Sequence, residues 1–217
     1  MNTRSWAGRV ALLLAAIAAG AMPAAAADAE ARLFFSRDFP QSLPAYFEVE
    51  LTAAGDAVYR EGPGEDEPLA FQLTEPERSA IFELVGQLDG LRRPIASDRK
   101  VAFTGSKVFR YDAGNGEPTE VKYTYTEDAA ARLLEKWFLR MSESARHMFE
   151  LERVLQFDRL GVNRALLSFQ TAYDKDRIVA AHQFLPVLEK IASGKQFVNI
   201  AQARATALAT RIKEAGE

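Results

Sequence analysis

The sequence predicts an α+β fold: an antiparallel sheet with one packed helix, followed by an all-α, bundle-like C-terminal region. Three observations predict it. In the first half of the chain apolar and polar residues alternate with a period of two, which marks half-buried strands. A capping-box sequence opens a helical stretch between two groups of such strands. From Thr126 onward the apolar residues recur at three- and four-residue steps, the helical spacing, to the end of the chain.

A leader precedes these elements. Arg4 and Arg9 give a positive start with no acidic neighbour, and Val10 to Met22 is an apolar run. Pro23 breaks that run before Ala24-Ala25-Ala26-Ala27, a small-residue stretch suited to cleavage ahead of Asp28. The run falls short of the ~20 apolar residues that a membrane helix needs, so a cleaved signal peptide is expected over 1–27, with no membrane anchor after its removal. The address that follows is periplasmic or secreted. An α+β sheet domain is expected over 28–126 and a helical domain over 127–217.

Phe47, Val49 and Leu51 share one face of a first strand, with Glu48 and Glu50 on the other. Thr52 to Asp56 turns the chain, and Ala57 to Arg60 returns antiparallel. Gly62 to Pro68 is rich in chain breakers and closes the return strand. Leu69 to Leu73 forms a short third strand. Thr74-Glu75-Pro76-Glu77 combines an N-cap threonine, a glutamate three residues on and a proline in the first turn, so a helix begins here. Ile81, Leu84, Val85 and Leu88 give that helix one apolar face, and Gly90 suits its C-terminal end. A hairpin follows, with Lys107 to Tyr111 and Glu120 to Tyr125 around the turn at Asp112 to Gly116.

Thr126 can cap the next helix, with Glu127 and Asp128 in its first turn. Leu134, Trp137, Met141, Ala145, Met148, Leu151 and Leu155 form its apolar stripe, in one helix or in two with a break near Ser142. Further helices are expected from about 163 to 173, 176 to 192 and 197 to 213, with Pro186 kinking or dividing the middle one. Alanines at 201, 203, 205, 207 and 209 would let a neighbouring backbone approach the last helix closely.

Composition narrows the function. The 217 residues carry a formal charge of −3, which becomes −5 once the leader with its two arginines and no acid is removed. A mildly acidic, well-mixed surface argues against nucleic acid, which calls for basic clusters. Arg92-Arg93 and Asp98-Arg99-Lys100 read as solvated loop charges. The absence of cysteine excludes disulfides, thiol redox chemistry and zinc-thiolate sites together. With 48% hydrophobic residues, including 14 Phe, packing alone can hold the chain.

No motif identifies a catalytic residue, a binding residue, a metal ligand or a cofactor. Glu143, His147 and Glu150 stand at i, i+4 and i+7, which resembles half of a metal site, but they lie opposite the apolar stripe and read as a solvated charged face. His182, in an alanine-rich segment, reads as a packed or capped histidine. Ser106 lacks the neighbours of a hydrolase nucleophile and reads as a strand-edge residue. Gly194-Lys195 and Gly114-Asn115-Gly116 lack the remainder of any phosphate-binding fingerprint and read as turns. Glu65-Asp66-Glu67 does not follow a calcium-loop pattern. Tyr46, Tyr59, Phe109, Tyr111, Tyr123 and Tyr125 would form an aromatic binding platform if they shared an exposed face, although core packing and cross-strand pairing account for them.

At Pro44-Ala45-Tyr46-Phe47-Glu48-Val49 and Gly55-Asp56-Ala57-Val58-Tyr59 the chain resembles a class of exported bacterial domains of unknown function, built on a Pro-x-Tyr strand and a Gly-x-x-x-Tyr return strand. The resemblance runs from about 33 to 141 and implies an α+β fold and an envelope setting, with no activity to transfer. Members commonly carry a cysteine pair just before the Pro-x-Tyr; Phe39 and Leu43 stand there in this chain, which removes any redox role.

The expected function is therefore a non-enzymatic periplasmic or secreted binding or interaction protein, with an unknown protein or small ligand of the cell envelope as partner. Two alternatives stay open: a carboxylate-based hydrolase without a recognisable motif, and a structural envelope protein that oligomerises through its C-terminal helices. A groove between sheet and helices without perturbed carboxylates favours binding, whereas two carboxylates about 5–9 Å apart in a deep pocket favour a glycosidase.

Overall fold

The sheet is organised around a strand that the alternation of the sequence does not announce. Leu33 and Phe35 are fully buried, and they lie on β1 (Arg32–Asp38), which runs between β2 (Tyr46–Thr52) and β5 (Ser106–Asp112). β3 (Asp56–Arg60), β4 (Leu69–Gln72) and β6 (Thr119–Tyr123) complete six strands in the order β4-β3-β2-β1-β5-β6. Every neighbouring pair is antiparallel. The computed structural model describes residues 30–62 and 68–216; the leader at 1–27 and the acidic run Glu65-Asp66-Glu67 lie outside the described residues.

Register decides which side chains meet. Phe35 stands opposite Val49 on one side and Phe109 on the other, and its ring lies 5.7, 4.8 and 5.0 Å from the rings of Phe47, Phe109 and Phe138. Aromatic pairs of this kind contribute about 0.5–1.5 kcal/mol each beyond the area they bury. Tyr59, Phe109 and Tyr123 belong to this core, while Tyr46 lies on the opposite face with its hydroxyl donating to Glu48 at 2.6 Å. The aromatic residues therefore pack the sheet and form no shared platform.

Two helices cover the inner face. α1 (Glu75–Gln87) starts at Thr74, whose backbone N–H and hydroxyl both donate to Glu77 Oε2 at 2.9 Å. It ends where Asp89, Gly90 and Leu91 take positive φ, with the Gly90 N–H returning to the Val85 carbonyl. α2 (Ala129–Phe157) is a single helix of 29 residues, about 43 Å long at 1.5 Å per residue, with no break at Ser142. Its cap is Asp128, which accepts from the Ala131 N–H, and not Thr126, whose hydroxyl accepts from the Asp128 N–H one turn earlier.

α2 serves two cores in succession. Ala131, Leu134, Phe138, Met141 and Ala145 pack on the sheet, and Leu151 and Val154 pack among the C-terminal helices. A division at 126/127 would therefore separate the sheet from the helix that covers it. α3 (Val162–Asp174), a 3-10 turn (Ala181–Phe184), α4 (Leu185–Ser193) and α5 (Asn199–Ala215) form the second core, with Phe169 stacked on Phe184 at 4.3 Å. The expected helix over 176–192 is divided: Pro186 sits in the first turn of α4, where a missing N–H costs nothing, and 176–180 is not helical. On α5 the alanine run splits by helical geometry, with Ala201, Ala205 and Ala209 buried and Ala203 and Ala207 exposed.

The segment before the 3-10 turn clamps the halves together. Val179 donates to Ser144 Oγ at 2.8 Å, and Ala180, at φ +50°, donates to Glu77 Oε1 at 3.0 Å. One carboxylate thus serves the start of α1 and a peptide a hundred residues later.

Candidate functional site

A cleft of about 830 Å³ opens where the end of the sheet, α2 and α3 meet. Its floor is the second half of α2, which presents Ser142, Glu143, Arg146, His147, Glu150 and Arg153 over about 15 Å of helix. One wall comes from the sheet: Arg37 on β1, Phe47 on β2, Glu61 just past β3, and the Leu43-Pro44 turn. The other wall is α3, with Arg164, Ala165 and Ser168, closed off by Arg177. Arg37 near the end of β1 and Phe47 near the start of β2 are register partners, which brings both to this edge of the cleft.

Of the triple Glu143, His147 and Glu150, the imidazole departs from the solvated face that their position opposite the apolar stripe predicts, while the Glu150 side chain stays exposed. The stripe reading treats α2 as having one covered side, but α3 and the Leu43-Pro44 turn flank the polar face and partly cover its middle. The imidazole is only 15% exposed and meets the Phe169 ring edge-on at 5.9 Å. Among the described residues no three His, Cys, Asp or Glu side chains gather closely enough to hold a metal ion.

The electrostatics are lopsided. Five arginines face three glutamates in the cleft, an excess of two positive charges on a chain whose formal charge is −3. Arg177 pairs with Glu143 at 3.1 Å and Arg153 pairs with Glu150 at 2.9 Å. Arg146 spends one N–H on the Leu43 carbonyl at 3.0 Å. Among the described residues no carboxylate forms an ion pair with Arg37, Arg146 or Arg164. Arg37 rests against the Phe39 ring at 5.2 Å, with its Nε buried and without an acceptor.

These contacts set the protonation states. The hydrogen bonds from Arg153 hold the Glu150 carboxyl below its usual range. Burial, followed by the charges of Arg146 and Arg177, holds the His147 imidazole below its ordinary value, so it stays neutral at pH 7. At the sheet side, burial pushes the Tyr59 phenol far up, and its hydroxyl lies 3.3 Å from Ser142 Oγ and donates to Glu61 at 2.9 Å.

Guanidinium groups gathered in this way can recognise an oxyanion. A glycosidase needs one carboxyl kept protonated beside its partner, whereas Glu150 is held ionised and Glu143 is engaged by Arg177. Comparison with protein-family models, with curated proteins and with solved structures found no match.

The remaining sequence candidates lie elsewhere. His182 is exposed on the 3-10 turn rather than packed or capped. Ser106 begins β5, and Gly114 sits in the hairpin turn with its N–H on Asp112 Oδ1. Arg93 and Arg99, read as solvated, bridge to Asp128 and Glu127 at the start of α2. The arginines of the cleft were not singled out by the sequence, because positions 37, 146, 164 and 177 share no local motif.

Proposed function

We propose that this is an exported, non-enzymatic binding protein whose ligand site is the cleft between the sheet and the C-terminal helices. The observation that carries the reading is the state of the cleft: among the described residues Arg37 and Arg164 on its walls form no ion pair, while Glu143 and Glu150 on its floor are each engaged by an arginine. A site arranged in this way suits gripping an anionic ligand, and it commits two of its three glutamates to arginine rather than to proton transfer. The leader over 1–27 supplies the address, and the likeness of the strands at Pro44 to Tyr59 to exported domains belongs with it. The hydrolase alternative is weakened by the same ion pairs. The buried alanines of α5 are used within the fold, so oligomerisation through that face has no observation in its favour.

The test is site-directed photocrosslinking in the native envelope. A photoreactive residue at Ser168, on the cleft wall, is expected to capture a reproducible adduct that a photoreactive residue at exposed Thr206 does not. Equal labelling at both positions would sink the reading. An uncut Met1 in the intact mass of native material would sink the export component.

A further inference from the structure

Taking the cleft as a binding site, the class of its ligand can be read from which cations the fold leaves unanswered. Arg37 and Lys107 stand directly opposite each other on β1 and β5, on the inner face of the sheet. The fold answers Lys107 completely, with Glu135, the Thr104 hydroxyl and the Thr124 carbonyl at 3.0, 3.2 and 3.1 Å. Among the described residues Arg37 receives nothing comparable: a ring face, no carboxylate, and an Nε with no acceptor. Such an Nε is not a ligand signal by itself, since Arg140 Nε shares that state while Arg140 pairs with Asp176; the missing carboxylate is what sets Arg37 apart.

On the facing wall Arg164 likewise forms no ion pair among the described residues, although its charge reaches Glu150, whose carboxyl Arg153 already holds. Arginine presents a planar fork of N–H groups that matches carboxylate and phosphate oxygens two at a time. Between the two arginines the cleft is not uniformly polar, since the exposed side chains of Leu43 and Phe149 contribute apolar surface. The excess of two positive charges agrees with a ligand carrying two negative ones.

We propose that the cleft takes a ligand with two oxyanion groups, one held by Arg37 at the end of the sheet and the other by Arg164 on α3, with its uncharged portion against Leu43 and Phe149. The groups are carboxylates or phosphates, carried either by a small molecule or by an acidic peptide segment.

Isothermal titration calorimetry on the full mature chain at low salt tests this with three probes: citrate, inorganic pyrophosphate and a hexaglutamate peptide. At least one is expected to bind saturably with one-to-one stoichiometry and to weaken as salt is raised. Arg164→Met and Arg37→Met are each expected to weaken that binding about tenfold, the loss of one charge-assisted contact. A preference for the peptide assigns the oxyanions to a polypeptide, and a preference for citrate or pyrophosphate assigns them to a small molecule. The His147 ring gives a second readout: nuclear magnetic resonance titration should show its pKa rising when the probe binds, because an anion offsets Arg146 and Arg177. Absence of binding by all three probes at about 1 mM, where even weak contacts register, overturns the proposal. So does binding that neither substitution weakens and that leaves His147 unmoved, which marks an adventitious surface association. If the Ser168 crosslink persists while all three probes fail, the cleft still binds and only the dianion assignment is lost.

Discussion

Lys107 and Arg37 occupy equivalent places on adjacent strands, yet the molecule treats them in opposite ways. Lys107 is 5% exposed and its three N–H donors meet three acceptors, so the charge is fully absorbed by the fold. Arg37 is half-buried, faces the cleft and, among the described residues, pairs with no carboxylate. The difference teaches that burial of a cation is not in itself a sign of function. What separates a structural charge from one free to meet a ligand is whether its donors are already spent.

The largest effect is expected at the closed site. Lys107→Met leaves Glu135 beside the Tyr123 hydroxyl without its cation, and breaking a buried pair in this way costs about 3–5 kcal/mol. Urea denaturation of wild type and variant measures it, and Lys107→Met combined with Glu135→Met should recover a large part of the loss. An unchanged midpoint for the single variant would erase the distinction between the two cations.

Tyr59→Phe removes a hydroxyl that links β3 to Ser142 and Glu61, and a loss of about 1 kcal/mol is expected in the same assay. A smaller effect would mean that the sheet and α2 are held together at the cleft by packing alone.

Acidity probes the open site. The folded His147 imidazole titrates below its unfolded value of about 6.5, so the unfolded chain binds more protons between the two. The contribution to stability is therefore full above about pH 6.5 and is lost as the pH falls through the depressed folded value. His147 faces Arg146 and Arg177, which disfavour its charge, and Glu143 and Glu150, which favour it. Comparing urea midpoints at neutral and mildly acidic pH, His147→Gln should flatten the dependence. An identical slope in both proteins would show that the imidazole is not under that strain.

The smallest effect on stability is expected at Arg37 itself. Arg37→Met forfeits a cation–π contact but removes an unanswered buried Nε, so the two changes offset each other to within about 0.5–1 kcal/mol in the urea assay. A loss as large as that of Lys107→Met would make Arg37 a structural charge and undo the comparison.

How legible this was in the sequence follows from how local each feature is. The start of α1, the hairpin of β5 and β6 and the position of Pro186 depend on neighbours a few residues apart, and all three are readable. β1, the strand at the centre of the sheet, is not: Phe34 sits on the outer face under the Arg110 guanidinium and Arg37 on the inner, so the apolar alternation is broken at both positions. The cleft is harder still, since it joins β1, the second half of α2 and α3. The triple Glu143, His147 and Glu150 was visible as a constellation, but which way it faces depends on α3, and helix periodicity carries no information about what packs on a polar side.

The uninterrupted length of α2 has a consequence for how the molecule comes apart. The first turns of that rod are buried by the sheet and the last by its three successors, so neither half can melt without stripping the shared rod of half its cover. Calorimetry of the intact chain should record one endotherm rather than two, and a proteolytic nick in one half should surrender the other with it.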